Sequence, residues 1–220
     1  MNKEEIYRSV KKAKVADKEK KILELCNNKT VLDVGCVGQD KAPDDPKWLH
    51  GKIISVAVKV VGVDIDSKGI TYVKEKGISV YTEKEVHEKG DKFNTIVIAD
   101  VIEHVNDPVM LLKNYAMLLE NDGVMIITTP NATGSKNFTN LLISNFLSVN
   151  PEHTFWFCPK TILEVVNRAG LKYKGFFWLR EYYSRNEVKK VIGKILYVIN
   201  AIFSKLRRSF NPNFMILLNK

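Results

Sequence analysis

Cysteine is scarce in this chain and its few thiols lie far apart: Cys26, Cys36 and Cys158 include no CxxC pair. An odd number of widely separated thiols suggests neither a disulfide framework nor a thiolate zinc site, and a reducing cytoplasm is the expected setting. An apolar leader is missing too, because the opening MNKEEIYRSVKKAKVADKEKK is charged throughout and does not read as a secretory signal. No stretch approaches the roughly 18 uncharged apolar residues of a membrane span. What is present is globular in composition. With 45% hydrophobic and 27% charged residues, the 220-residue chain is neither disordered, collagen-like nor polar low-complexity, and it is long enough for one domain with a terminal elaboration.

The net charge of +9 is unevenly spread. Residues 1–29 hold nine Lys/Arg against five Asp/Glu, residues 160–220 thirteen against three, and the middle twelve against seventeen. A nucleic-acid enzyme would carry its positive charge around the pocket, so the basic ends read as a docking surface and the acidic middle as a small-molecule site.

Short runs rich in Val, Ile and Thr alternate with helical stretches, the pattern of parallel strands joined by crossover helices. Strands are expected at 30–34, 60–64, 78–81, 95–99 and 124–128, with two late ones at 173–179 and 214–218. Helices are expected at 46–54, 68–76, 108–120 and 159–169, with an N-terminal basic helix inside 1–29 and a basic helix at 187–208. Neither an internal repeat nor an interdomain linker is visible, so the whole chain reads as a single domain. The fold class is α/β, a doubly wound sheet with helices on both faces, whose ligand belongs outside the carboxyl ends of the strands where the winding reverses.

Three strand ends carry polar groups suited to that position. After 30–34 comes Asp33-Val34-Gly35-Cys36-Val37-Gly38, where Gly35 lets the backbone approach a ligand and exposed amides can meet an anion; plain turn chemistry explains the glycines equally well. After 60–64 comes Asp64-Ile65-Asp66-Ser67. The Asp64 carboxylate can accept from a ribose diol, or it can cap the next helix, a role Asp66 or Ser67 could fill instead. After 95–99 come Asp100, Val101, Glu103 and His104, two carboxylates and an imidazole able to take a proton or hold a divalent cation. A helical turn there would bring Asp100 and Glu103 or His104 onto one side.

The segments VLDVGC, VVGVDID, FNTIVIADVIEHVNDP, GVMIITTPN and HTFWFCPKTILEVVNRAGL, in this order and spacing, resemble the class I S-adenosylmethionine-dependent methyltransferases from about Thr30 to Leu171. The resemblance implies a Rossmann-like sheet of seven strands whose antiparallel last strand slots in before the sixth. It implies S-adenosyl-L-methionine as cofactor, leaving as S-adenosyl-L-homocysteine, with Asp33, Gly35, Cys36 and Gly38 around its methionine end. Asp64 would hold the ribose, Ile65 would lie against adenine, Glu83 or Glu85 would reach the adenine amine, and Asp100 and Val101 would line the pocket. The Glu103-His104 pair matches the ubiquinone-pathway type of O-methyltransferase. Some members of that group hold a divalent metal through this stretch, which would make Asp100, Glu103 and His104 a metal set. His104 is then the expected base or metal-anchored orienter, Glu103 sets its tautomer, and His153 is a second candidate from a later loop or an ordinary hydrogen-bonded histidine.

The chain departs from the family pattern at Val37 and Gln39, where the second and third glycines of the loop usually stand, and Val37 would narrow the methionine site or shift the loop. Trp48, in an extended first crossover, would cover the cofactor or simply pack. The basic helix has apolar residues from 188 to 206 at helical spacing and no acid after Glu187. It can lie peripherally on an anionic membrane, cover the sheet edge or make a dimer contact. The expected activity is methyl transfer to a small molecule with a quinone-like, lipid-linked or sugar-type hydroxyl, with no nucleic-acid partner. The rivals are a nicotinamide-dependent oxidoreductase, disfavoured by the missing GxGxxG, and a non-catalytic nucleoside-binding module at a membrane face.

Overall fold

The computed structural model describes residues 2–38, 45–144, 149–180 and 191–220. Gln39, the end of the apolar segment beyond Ser144 and the first residues of the expected basic helix, 187–190, lie outside the described residues. In chain order the elements are α1 (Lys3–Lys12), β1 (Val15–Ala16), α2 (Lys18–Cys26), β2 (Thr30–Val34), α3 (Leu49–Ile54), β3 (Lys59–Val63), α4 (Ser67–Glu75), β4 (Val80–Tyr81) and α5 (Glu83–Lys89). There follow β5 (Phe93–Ala99), α6 (Pro108–Leu118), β6 (Leu119–Pro130), α7 (Ser135–Ser144), α8 (Pro159–Arg168), β7 (Lys172–Leu179), α9 (Val191–Leu206) and β8 (Asn213–Asn219).

The sheet runs β1-β7-β8-β6-β5-β2-β3-β4. Strand β8 is antiparallel to both neighbours and lies between β6 and β7, as expected, while the other pairs are parallel. The winding reverses between β2 and β5, which places a crevice above their carboxyl ends. Alternation along each strand builds a core on both faces. Leu32, Ile96, Ile98, Met125 and Ile127 join one apolar cluster, and Val31, Val97 and Ile126 join the other.

The sheet has eight strands rather than seven, because Val15–Ala16 adds β1 beside Trp178 and Leu179 of β7. The N-terminal region is accordingly two helices around a strand, not one helix. The Trp178 indole donates to the Val10 carbonyl at 3.1 Å, which ties α1 to the same edge. Helix α6 starts where expected, with Asp107 accepting from the Met110 amide at 2.8 Å and Pro108 in the first turn. It stops earlier than expected, at Leu118, because Leu119 already pairs with Phe93 and opens β6. Asp122-Gly123, expected as the helix stop, therefore lies inside the strand. Gly123 fits there because a Cβ would come 3.0 Å from the Asn94 carbonyl. Helix α5 was not expected from sequence; a Thr82–Glu85 capping box starts it and Gly90, at φ +68°, ends it.

Candidate active site

Strand β2 ends at Val34 and is followed by Gly35, whose φ of +76° favours glycine and whose added Cβ would lie 2.5 Å from Val101 Cγ2. The loops after β2 and β5 therefore touch at a point where any side chain on 35 would intrude. The amides here are not the open anion cradle expected from sequence. Those of Gly35 and Cys36 both donate to the Val63 carbonyl, at 2.8 and 3.3 Å, and the Val37 amide donates to Asp64 Oδ2 at 2.9 Å. Gly38, at φ +71°, has nothing within 4 Å of where its Cβ would be among the described residues.

Val37 does not plug the crevice. Its Cγ1 lies 2.4 Å from the position a Cβ would take on Gly69, so the valine drops into a notch on α4 that exists only because residue 69 is glycine. Cys36 is buried with Trp48, Ile70, Val73 and Val80, and the Trp48 indole donates to its carbonyl at 2.7 Å. Of the alternatives for Trp48, packing is what the structure shows. Asp33 is buried and its Oδ2 is 2.8 Å from His50 Nδ1, so its carboxylate is engaged by α3.

Beyond β3, the Asp66 carboxylate accepts from the Lys68 amide at 3.0 Å and caps α4. Asp64 is thereby released from capping. Its Oδ1 accepts from the Ile65 and Asp66 amides at 2.8 and 3.0 Å, and its Oδ2 braces Val37. Each carboxylate oxygen has two acceptor directions, so Oδ1 is filled and Oδ2 retains one for a further donor. Ile65 is 96% exposed, an apolar surface beside this carboxylate. Glu83 accepts from the Asn114 amide nitrogen at 3.1 Å, and Glu85 is spent in the Thr82 capping box and on Lys74.

After β5 the chain forms a turn rather than a helix through Glu103, closed by His104 N–H donating to the Val101 carbonyl at 2.9 Å. Asp100 sits at φ +54°, accepts from Thr128 Oγ1 at 2.7 Å and pairs with Lys18. Burial raises its pKa, but the Lys18 ammonium and the Thr128 hydroxyl outweigh that and hold the carboxyl below its usual range. Lys18 escaped the sequence reading because nothing in a basic N-terminal stretch marks one lysine over another; only the pairing of β1 with β7 carries it to the sheet mouth.

Glu103 is buried, with Oε2 accepting from Thr129 Oγ1 at 3.0 Å and Oε1 lacking a partner among the described residues. Burial, then the Asp100 carboxylate, push its pKa up to about 8. Its backbone carbonyl accepts from the Thr154 and Phe155 amides at 2.9 and 3.1 Å, which anchors the loop carrying His153. The His153 ring meets His104 edge-on at 4.6 Å between centroids. Burial and His104 hold the His153 pKa down, and its buried Nδ1 has no partner among the described residues. One ligand atom from each of Glu103, His104 and His153 lies within 4.8 Å of the others. His153 thus stands where Asp100 was expected in the metal set, since Asp100 is engaged by Lys18 and Thr128. Glu103 makes no hydrogen bond to His104 among the described residues.

A family described as a methyltransferase domain matches residues 7–174. The chain belongs to the S-adenosylmethionine-dependent methyltransferases. Among similar sequences, a ubiquinone biosynthesis O-methyltransferase from Rhizobium etli is 30% identical over 111 residues, covering 47% of this chain and 42% of the relative. The same-named protein of Haemophilus ducreyi is 22% identical, covering 76% of this chain and 79% of the relative. The chain thus spans less than half of the Rhizobium relative. Among solved structures, a methyltransferase from Archaeoglobus fulgidus has TM-score 0.57 at 22% identity, covering 91% of this chain and 90% of that one. Magnesium protoporphyrin IX methyltransferase from Synechocystis has TM-score 0.58 at 13% identity, covering 91% and 81%. These structures share the fold. The nicotinamide-dependent oxidoreductase reading gives way to the family match and to β8 inserted between β6 and β7.

The crevice of this methyltransferase fits its cofactor at the nucleoside end. Asp64 Oδ2 keeps acceptor capacity and Ile65 is bare, while toward the methionine end the Gly35–Val101 contact leaves no room for a further side chain.

Proposed function

We propose that this methyltransferase moves a methyl group from S-adenosylmethionine to a hydroxyl of a small-molecule acceptor. The observation that carries this reading is the convergence of Glu103, His104 and His153 above β5, with two buried polar atoms left unpartnered among the described residues. The names of the related O-methyltransferases support a quinone-like acceptor, with lipid-linked or sugar-type hydroxyls as the wider class.

Bound in the crevice, the cofactor supplies an electrophilic methyl carbon on a sulfonium leaving group. Asp64 accepts from a ribose hydroxyl with the free direction of its Oδ2, Ile65 offers adenine an apolar face, and Gly35 and Val101 set how closely the backbone approaches. Asp33, Cys36 and Gly38 form the wall of the methionine end. Asp33 and Cys36 act there through the fold of the loop, because their side chains are committed to His50 and the core. The Glu83 side chain faces Asn114 and reaches adenine only after giving up that contact. Across the cleft, His104 accepts the hydroxyl proton, His153 orients its ring edge-on, and Glu103 acts as a positioning residue by anchoring the loop that carries His153.

Glu103, His104 and His153 also fit a divalent cation, a two-imidazole, one-carboxylate set with unpartnered donors in place. Such an ion supplies Lewis acidity toward a coordinated hydroxyl. Activity before and after chelation distinguishes the two uses of His104.

The test is His104→Ala, assayed with hydroxylated quinone, lipid-linked and sugar acceptors. Turnover should fall by about 10²- to 10⁴-fold, the usual worth of a positioned acid–base group, while cofactor affinity stays within about twofold. Undiminished turnover removes His104 from the mechanism. Cofactor binding without turnover by the wild type on any acceptor favours a non-catalytic nucleoside-binding module.

A further inference from the structure

Helices α7 and α9 are turned inside out. A helix on a soluble domain buries its apolar stripe, yet α9 exposes Ile195, Val198, Ile199, Ile202, Phe203 and Leu206, a run at three- and four-residue spacing. Among its described side chains the buried one is Asn200, which donates to Thr139 Oγ1 of α7 at 3.2 Å. Helix α7 repeats the inversion, burying Ser135 and Thr139 while Phe138, Leu141, Leu142 and Ile143 face out. The two helices therefore meet through polar side chains and present one apolar surface, with Leu142 69% and Leu206 71% exposed. A contiguous apolar face of this kind marks an interaction site.

The surroundings of that face say what it meets. Between α7, α9 and the end of β7 lies a cavity of about 380 Å³, lined by Lys136, Arg180, Lys205 and Arg208 together with Tyr197 and Asn200. None of its described lining residues is acidic. No Asp or Glu occurs from Gly123 to Pro151, or anywhere after Glu187. The cavity opens at the carboxyl-end side of the sheet, since Arg180 follows β7 and Pro212 precedes the antiparallel β8. Cations at the root of an exposed apolar surface are complementary to a phosphate layer above acyl chains. A second copy of the chain would bring the same positive charges against themselves.

We propose that this face docks on an anionic phospholipid bilayer, with α7 and α9 lying in the interface and the basic cavity taking a lipid phosphate. It goes beyond the methyl-transfer reading, and it places the active-site end of the sheet toward the membrane. All of α9 lies beyond the matched family region, which ends at residue 174, while α7 lies within it, so the α9 half of this surface is an elaboration on the methyltransferase framework.

The experiment is sedimentation of the full chain with phosphatidylcholine–phosphatidylglycerol vesicles and with phosphatidylcholine vesicles alone, alongside Ile202→Asp/Leu206→Asp and Lys205→Ala. Both sites are exposed, so circular dichroism should show folded variants, and cofactor affinity should match the wild type. The wild type should pellet with the anionic vesicles and be released by salt. Lys205→Ala should weaken partitioning by about fivefold, the worth of one basic residue near such a surface, and the double variant should abolish it. Equal partitioning onto neutral vesicles, or none onto either, overturns the proposal. So does a wild-type dimer in light scattering that the double variant renders monomeric, which makes the face a self-contact. Release from the vesicles by millimolar inorganic phosphate would assign the cavity to a free phosphate instead.

Discussion

Glu103 is the residue at which stability and chemistry conflict. Its carboxyl is buried, half-satisfied by Thr129 and pushed up to about 8. Between its unfolded pKa near 4.5 and that value, the folded chain holds a proton the unfolded chain has lost. Stability linked to this group is therefore complete below about 4.5 and falls as pH rises toward 8. In chelator-treated protein, we expect the urea midpoint of the wild type to drop across that window relative to Glu103→Gln, by an amount worth on the order of a few kcal/mol. Parallel pH profiles for the two proteins would show that Glu103 ionises freely. The residue types of the site were legible in sequence, because Asp64, Glu103 and His104 each follow a strand at the end where ligands bind. Their partners were not. Thr129 against Glu103, His153 against His104 and Lys18 against Asp100 are 26, 49 and 82 residues apart in sequence and meet only through tertiary folding.

Among elements, the loop after β2 and helix α4 form a matched pair. Val37 replaces a glycine of the family pattern, and Gly69 supplies the space on the neighbouring helix. In Gly69→Ala the better helix propensity, about 0.5–1 kcal/mol, should lose to overpacking against Val37 Cγ1, for a net destabilisation of about 1–2 kcal/mol. Adding Val37→Gly should return a large part of that loss, so that a double-mutant cycle by urea denaturation gives a coupling above about 0.5 kcal/mol. Additive effects would mean the two residues do not share the notch. Elements with strong periodicity, such as β2, β5 and α8, were readable from the pattern alone. Strand β1 was not, because two residues, Val15 and Ala16, carry no alternation and become a strand only beside Trp178 and Leu179. Helix α5 was missed because seven mostly charged residues have little apolar pattern, and its capping box, not its face, defines it.

Taken whole, the molecule brings its two basic ends together. Strand β1 pairs with β7, and Arg208 donates to the Lys12 and Ala13 carbonyls at 2.7 and 3.1 Å, so charge separated in sequence gathers on one edge of the sheet. The acidic middle holds the crevice, with Asp64 and Asp100 at its rim. This division matches a methyltransferase that takes its cofactor from solution at one part of the sheet mouth and meets a charged surface at another. No helix among the described residues is long and apolar enough to cross a membrane. The most direct measurement is isothermal calorimetry of S-adenosylmethionine with the wild type and with Asp64→Asn. We expect saturable one-to-one binding by the wild type and at least about tenfold weaker binding by the variant, the cost of a lost charge-assisted hydrogen bond. Absence of binding by the wild type, or equal affinity in the two proteins, would contradict a cofactor held between the Gly35 turn and the carboxylate of Asp64.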